Sequence, residues 1–343
     1  MIELSRTQEP ELFELAKVSL GALGIVAKVT LQCVPAHRLL EHTFVLSAAE
    51  VEQQHTSLLQ GNKHVRYMWV PYTDTVVVVT NNPIEEGGNP PTLPPAAPMG
   101  ERLQPFRQLL KESFPETDEA TLAAMSFADY RDQLIAAAPL DTAHVVAVNR
   151  AEAEFWKLSE GYSIGWSDTK LQFECGGQQW VSEVGFPVGS YTAPNGRDLE
   201  YMRRLMELIE STGVPAPSPI EQRWSSGSSS ALSIASSEDP SALFSWVGII
   251  MYLPSDEPAV RAKITDAFFA YRHACEDALW QEFGAVEHWA KVEASHDDAR
   301  REQLRKRLSA RFPVNAFNEA RLVLHPSVCP SSLCACFVSP AHW

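Results

Sequence analysis

What most limits the folds open to this chain is the order of its strand and helix patterns. Strand patterns cluster, helix patterns cluster, and neither alternates regularly with the other. That order favours an α+β architecture over a doubly wound parallel sheet. Strands are predicted at Glu41–Leu46, Val65–Val70 and Thr75–Thr80, the last two separated only by Pro71-Tyr-Thr-Asp74. Ser47 is placed to cap a helix that begins at Ala48. Residues 81–100, rich in Pro, Gly and Asn, read as a surface loop. Helical patterns then run over Leu103–Ser113, Asp118–Ala138 and Ala143–Lys157. A second strand block surrounds Gln178–Val184 and Ile220–Trp224, with an amphipathic helix, Asp198–Ser211, between them. The apolar positions of that helix, Leu199, Met202, Leu205, Met206 and Ile209, fall on one face. Ser225–Ser241 reads as a mobile Ser-rich loop and Phe244–Leu253 as a buried strand. Glu257–Phe283 reads as a long helix or helix pair, and Asp297–Phe312 as a charged helix. Before all of these come a short helix at Glu11–Lys17, a turn at Ser19–Gly24 and a β-branched strand at Ile25–Val34. No internal repeat is evident.

Charge and composition narrow the function. Twenty-eight Lys and Arg stand against 43 Asp and Glu, a formal charge of −15 among 343 residues. Nucleic-acid affinity rests on clustered cations, so that class is excluded. A basic protein partner is compatible, since an acidic face steers one in. The longest apolar run, Leu243–Leu253, is far short of the roughly 20 residues of a spanning helix. Six cysteines in a chain this long do not form a disulfide scaffold, and three of them lie in the last residues.

Several motifs could carry chemistry. In Gly21-Ala-Leu-Gly24 the glycines permit either a plain tight turn or close approach of backbone to a ligand. In Pro219-Ile-Glu221-Gln-Arg223-Trp224 a strand would turn Glu221 and Arg223 to one face. There they could hold a polyhydroxylated substrate or simply pair. In Glu287-His288-Trp-Ala-Lys291-Val-Glu293, helical geometry would put His288 and Lys291 on one face, against an anionic ring system or merely solvent. Cys175, before two glycines, is either an oxidisable thiol or a small buried hydrophobe. Gly227-Ser-Ser-Ser-Ala231 lacks the strand–turn–helix context of a nucleophile elbow. Cys334-Ala-Cys336 lacks partner ligands at metal spacing, so no metal site is expected.

Taken in order, these motifs resemble the aldonolactone oxidase branch of the vanillyl-alcohol-oxidase-type flavoproteins. The stretches that carry the resemblance include Gly21-Ala-Leu-Gly-Ile-Val, Glu41-His-Thr-Phe-Val, Pro71-Tyr-Thr-Asp-Thr-Val-Val-Val-Val-Thr, Cys175-Gly-Gly-Gln-Gln-Trp-Val-Ser-Glu, Pro219-Ile-Glu-Gln-Arg-Trp and Glu287-His-Trp-Ala-Lys. They extend from Ile2 to about Leu324. The resemblance implies a substrate-cap domain with an antiparallel sheet and flanking helices over residues 37–312. It further implies a remnant of an FAD-binding domain over residues 1–36, and a returning segment with a divergent tail over 313–343. It implies oxidation of the C2 hydroxyl of L-galactono-1,4-lactone, with FAD as cofactor and L-ascorbate as the end product. Cytochrome c is the implied electron acceptor, and the mitochondrial inner membrane or intermembrane space the implied location. Glu221 and Arg223 would bind the lactone and act in catalysis. Gly21, Leu23, Gly24, Ile25, Val26, His288 and Lys291 would contact FAD, and Cys175 would be an oxidation-sensitive thiol near the substrate. Most of the family's FAD domain would precede Met1, so the chain alone is expected to lack stable FAD binding and to purify colourless. An alternative reading is a non-catalytic assembly or interaction module of the respiratory chain, with complex I assembly contacts. A third is a coding sequence that continues upstream of Met1.

Overall fold

The structure, a computed structural model, describes residues 1–84, 92, 97–172 and 176–324. Its strands are β1 (Arg38–Leu46), β2 (His64–Val70), β3 (Thr75–Pro83), β4 (Gly161–Trp166), β5 (Gln179–Ser190), β6 (Ile220–Ser226), β7 (Ala242–Tyr252) and β8 (Val286–Glu287). They form one sheet in the order β4-β1-β3-β2-β6-β7-β5-β8, every pairing antiparallel. The two strand blocks expected from the sequence are therefore a single sheet, joined where β2 pairs β6. The α+β class holds, with helices flanking an antiparallel sheet.

The helices are α1 (Pro10–Ala16), α2 (Ala48–Gly61), α3 (Met99–Arg102), α4 (Gln104–Ser113), α5 (Glu119–Ala124), α6 (Phe127–Ala137), α7 (Thr142–Lys157), α8 (Ser167–Lys170), α9 (Arg197–Thr212), α10 (Pro258–Cys275), α11 (Gln281–Phe283), α12 (Asp298–Arg311) and α13 (Val314–Leu324). Local chemistry sets their starts. Ser47 accepts from the Glu50 N–H while the Glu50 carboxylate accepts from the Ser47 N–H, a reciprocal cap for α2. Ser126 and Asp129 do the same for α6. That cap divides the single helix expected at Asp118–Ala138 into α5 and α6. A π-turn, Glu276–Trp280, joins α10 to α11.

The two faces of the sheet are covered differently. One is sealed by α2, α9 and α10. Met202, Leu205 and Ile209 of α9 and Ile264 and Phe268 of α10 are buried against Val76, Val78, Phe186 and Ile249. Each such side chain contributes about 1.5–3 kcal/mol by leaving water. The other face is covered, among the described residues, at its two ends. Phe106, Leu134, Val148 and Phe155 from α4, α6 and α7 pack on Ile250 and Tyr252 at one end. At the other, Leu15, Leu304, Leu308 and Phe317 pack on Val286, Leu232 and Ile234. A strip of sheet between these groups stays open.

Three expectations are corrected. Ile25–Val34 is not a strand: the segment has no ladder partner among the described residues, and Ile25, Val26, Val29, Leu31 and Val34 are exposed. β-Branching favours extended backbone, but a strand also needs a neighbour to bond. The Ser-rich stretch is no solvated loop. Ser225 and Ser226 end β6, a bridge joins Ser228 to Ser236, and Leu232, Ile234 and Ala235 are buried. Its hidden apolar triplet outweighs its polar composition. The third correction is β4, an edge strand unmarked by any β-branched run in Gly161-Tyr-Ser-Ile-Gly-Trp166.

Candidate active site

The open strip carries a cleft of about 770 Å³, within the size range of small-molecule sites. Register dictates who lines it. Arg66 on β2 pairs with Arg223 on β6, and Glu221 pairs with Gly248 on β7, which pairs with Glu183 on β5. Directly opposed residues of antiparallel strands share a face, so these side chains stand on one floor. The alternation of β6 is decisive: Gln222 turns into the sealed side, whereas Glu221 and Arg223 face the cleft. Among the described residues, Lys170, Lys291 and the imidazoles of His64 and His288 add to its polar lining.

Glu221 and Arg223 share a face but are not hydrogen-bonded to each other. Arg223 donates from Nε (2.9 Å) and Nη2 (2.6 Å) to the Glu183 carboxylate, and its guanidinium lies 5.6 Å from the centre of the Trp246 ring. Glu221 forms no hydrogen bond with any described residue. Burial pushes its carboxyl above the ordinary value, an effect that Arg66 and Arg223 only partly oppose and Glu183 reinforces. Burial likewise pulls the His288 imidazole below its usual value, helped by Arg223 and Lys291 and opposed by Glu183. Nδ1 of His288 accepts from the Ala290 N–H at 3.2 Å, so the ring proton of the neutral form is assigned to Nε2.

The turn that carries His288 and Lys291 is one 3₁₀ turn, Trp289–Lys291, capped by His288, not the α-helix that spacing suggested. A 3₁₀ turn brings positions three apart into line, so both residues still reach the cleft. Behind it, Glu287 is fully buried, accepting from Arg272 Nη2 (3.0 Å) and Arg307 Nη2 (2.8 Å). This bonding fixes β8 and the turn after it against α10 and α12.

Beneath β6 lies a buried polar network. Asp198, at the start of α9, accepts from His55 Nε2 and Trp224 Nε1, both at 2.8 Å, and from the Leu199 N–H at 3.0 Å. His55 Nδ1 in turn accepts from the Tyr67 hydroxyl at 3.1 Å. Gln222 donates to Ser245 and accepts from Trp69. Burial alone would raise the Asp198 carboxyl, but bonds from His55, Trp224 and Leu199 hold it below the ordinary value.

Of the residues singled out in the sequence, Glu221, Arg223, His288 and Lys291 meet in the cleft. Gly21, Leu23, Gly24, Ile25 and Val26 do not line it. Leu23 packs among the Leu15 and Leu232 group, and Ile25 and Val26 are exposed. Gly21 and Gly24 do adopt the left-handed backbone that their spacing suggested, at φ 72° and 127°. Cys175 and the Cys334–Cys336 pair lie outside the described residues. The sequence reading did not single out Glu183, Arg66, Lys170 or Gly248. A signal existed for two of them, since Glu183 and Arg66 are charges at alternating positions within otherwise apolar strands. Among the described residues no cluster of three His, Cys, Asp or Glu could hold a metal ion. Cations around a flat floor of Gly248, Val181 and Ile250 suit a planar ligand that gains negative charge.

This fold is shared with cholesterol oxidase from B. sterolicum, at a TM-score of 0.51 and 13 % identity over 86 % of this chain and 58 % of that one. The architecture therefore shares its fold class with that structure. More particularly, the D-arabinono-1,4-lactone oxidase family profile matches residues 29–327, and the chain belongs to that family. It is 50 % identical over 338 residues to the mitochondrial L-galactono-1,4-lactone dehydrogenase of Arabidopsis thaliana, covering 95 % of this chain and 55 % of the relative. A rice enzyme of the same name is 49 % identical over 332 residues, covering 95 % and 57 %. Mouse L-gulonolactone oxidase is 25 % identical over 301 residues, covering 85 % and 56 %. The chain thus spans about half the length of these curated relatives.

Proposed function

We propose that this chain is the substrate-binding part of an FAD-dependent aldonolactone dehydrogenase that oxidises the C2 hydroxyl of L-galactono-1,4-lactone towards L-ascorbate. One observation carries the reading: Glu221, half-buried and without a hydrogen bond among the described residues, stands on the same cleft floor as Arg223. A carboxylate held above its ordinary pKa is a stronger proton acceptor for a substrate hydroxyl. The cations of Arg223, Arg66 and Lys291 stabilise negative charge that develops on the ring as it is oxidised. Gly248 leaves room for that ring between Glu221 and Glu183. Bound FAD supplies the hydride acceptor; His288 and Lys291 are the residues of this chain that would hold its ring. In this reading residues 37–312 form the substrate domain, residues 1–36 are a remnant of the cofactor domain, and 313–343 are a returning segment and a divergent tail.

The relatives of about half identity are named mitochondrial, and the same location is proposed here. The net charge of −15 suits a basic acceptor such as cytochrome c. One observation favours a second reading, an interaction module: the exposed apolar row Ile25, Val26, Val29, Leu31 and Val34. The test is calorimetric titration of the purified chain with L-galactono-1,4-lactone, with and without FAD. Saturable binding abolished by Glu221→Gln with Arg223→Gln supports the reading. Absence of binding at millimolar lactone under both conditions overturns it.

A further inference from the structure

The cleft floor holds two carboxylates and one arginine that could join either. Glu221 and Arg223 are two residues apart on one strand face, where pairing is the default expectation. Arg223 instead reaches across β7 to Glu183, which is nearly buried, and bonds it through two nitrogens. Its plane is also held over Trp246, whose own Nε1 is anchored on Ser225 at 2.8 Å. Between the two carboxylates, in register with both, stands Gly248. A Cβ there would meet only Glu183 carbons at 4.0 Å, so no side chain separates Glu183 from Glu221.

We propose that Glu183 is a positioning residue: by holding Arg223 over Trp246 it keeps that cation from neutralising Glu221, which stays without a hydrogen-bond partner among the described residues and ready to take the proton of a substrate hydroxyl. The last clause rests on the function proposed above, whereas the positioning itself does not. Glu221 is faced by His64 and Arg66 from β2, Arg223 from β6 and Glu183 from β5. His288 and Lys291 face it from the turn after β8, and Lys170 from α8. Lys170 is held by Glu41 at 2.9 Å. Removing the charge of Glu183 leaves the guanidinium without its carboxylate, and among the described residues Glu221 is the other carboxylate of the cleft lining. The pair then closes, and the ionised form of Glu221 is favoured. Loss of the neighbouring negative charge acts in the same direction.

The test is a carboxyl titration by NMR of the whole chain carrying ¹³C-carboxyl glutamate, with the Glu221 signal assigned by its loss in Glu221→Gln. The expected result for Glu183→Gln is a fall of the Glu221 midpoint by about one pH unit, a tenfold change in proton affinity. Glu183→Met matches the volume and carries the same expectation should the glutamine variant fail to fold. Glu183→Asp, which keeps the charge, stays near the parent value. In an Arg223→Gln background, Glu183→Gln moves the midpoint by less than about a third as much. A merely structural Glu183 would not produce that coupling. An unchanged or raised midpoint overturns the proposal, as does an equal fall with and without Arg223. The titration needs neither lactone nor flavin, so its failure is separate from failure of the proposed function. If instead it succeeds while the acid limb of kcat/KM in the flavin-loaded enzyme ignores Glu183→Gln, the positioning stands and the proton-accepting role of Glu221 falls.

Discussion

Two carboxylates, one buried and one half-buried, lie on opposite faces of the same sheet. Asp198 sits under β6, and Glu221 stands on it. Asp198 accepts from two ring nitrogens and a backbone amide, and its proton affinity is pulled down. Glu221 accepts from none of the described residues, and its proton affinity is pushed up. Burial acts the same way on both, so bonding accounts for the difference. A saturated carboxylate can only hold structure together. An unsaturated one keeps lone pairs for something that is not part of the chain.

The strongest way to break the comparison is Asp198→Asn. It leaves His55, Trp224 and Leu199 competing for a weaker acceptor, and a loss of about 3–5 kcal/mol is expected in urea unfolding. Glu221→Gln, by contrast, is expected to change stability by less than about 1 kcal/mol. Its effect falls on chemistry: in the flavin-loaded enzyme kcat should drop about a hundredfold or more, with KM nearly kept, as read by steady-state lactone oxidation. Gly248→Val comes next. Its side chain enters the cleft without a backbone clash, so melting should shift little while lactone affinity falls about tenfold or more by calorimetry. The smallest effect is in pH. A depressed folded-state carboxyl stabilises above its unfolded value, and that stability is lost as pH falls through the folded one. Asp198 therefore contributes to acid unfolding below about pH 4. For Glu221, whose folded value is raised, the sign reverses: stability present at low pH is lost as pH rises through the folded value. Unfolding curves between pH 3 and 7 should show opposite slope changes for Asp198→Asn and Glu221→Gln. Each change should amount to about 1.4 kcal/mol for a tenfold difference in proton affinity between the folded and unfolded chain.

What could be read from the sequence was what depends on neighbours in the chain. The Ser47 cap, the apolar stripe of α9 and the shared face of Glu221 and Arg223 each follow from spacing over a few residues. What could not be read depends on distant partners. The junction of the two strand blocks pairs Arg66 with Arg223, far apart in sequence. Ile25–Val34 has strand composition but no partner among the described residues, while β4 has a partner but little strand composition. The importance of Glu183 arises only from which carboxylate Arg223 selects, and no local pattern records that selection.

The strand order has a consequence for how the molecule is made. Arg66, Glu183, Glu221, Gly248 and His288 reach the cleft from five separate stretches, and β2 meets its neighbour β6 only across a long interval of chain. Non-local pairings form slowly, because each must close a large loop before any contact rewards it. The first half of the sequence carries His64, Arg66 and Lys170 but neither carboxylate of the floor. β2 must wait for β6, and β5 must wait for β7. During synthesis, ligand affinity should therefore emerge late, after β7 and the turn bearing His288 have been made, so that binding in this cleft reports completed folding.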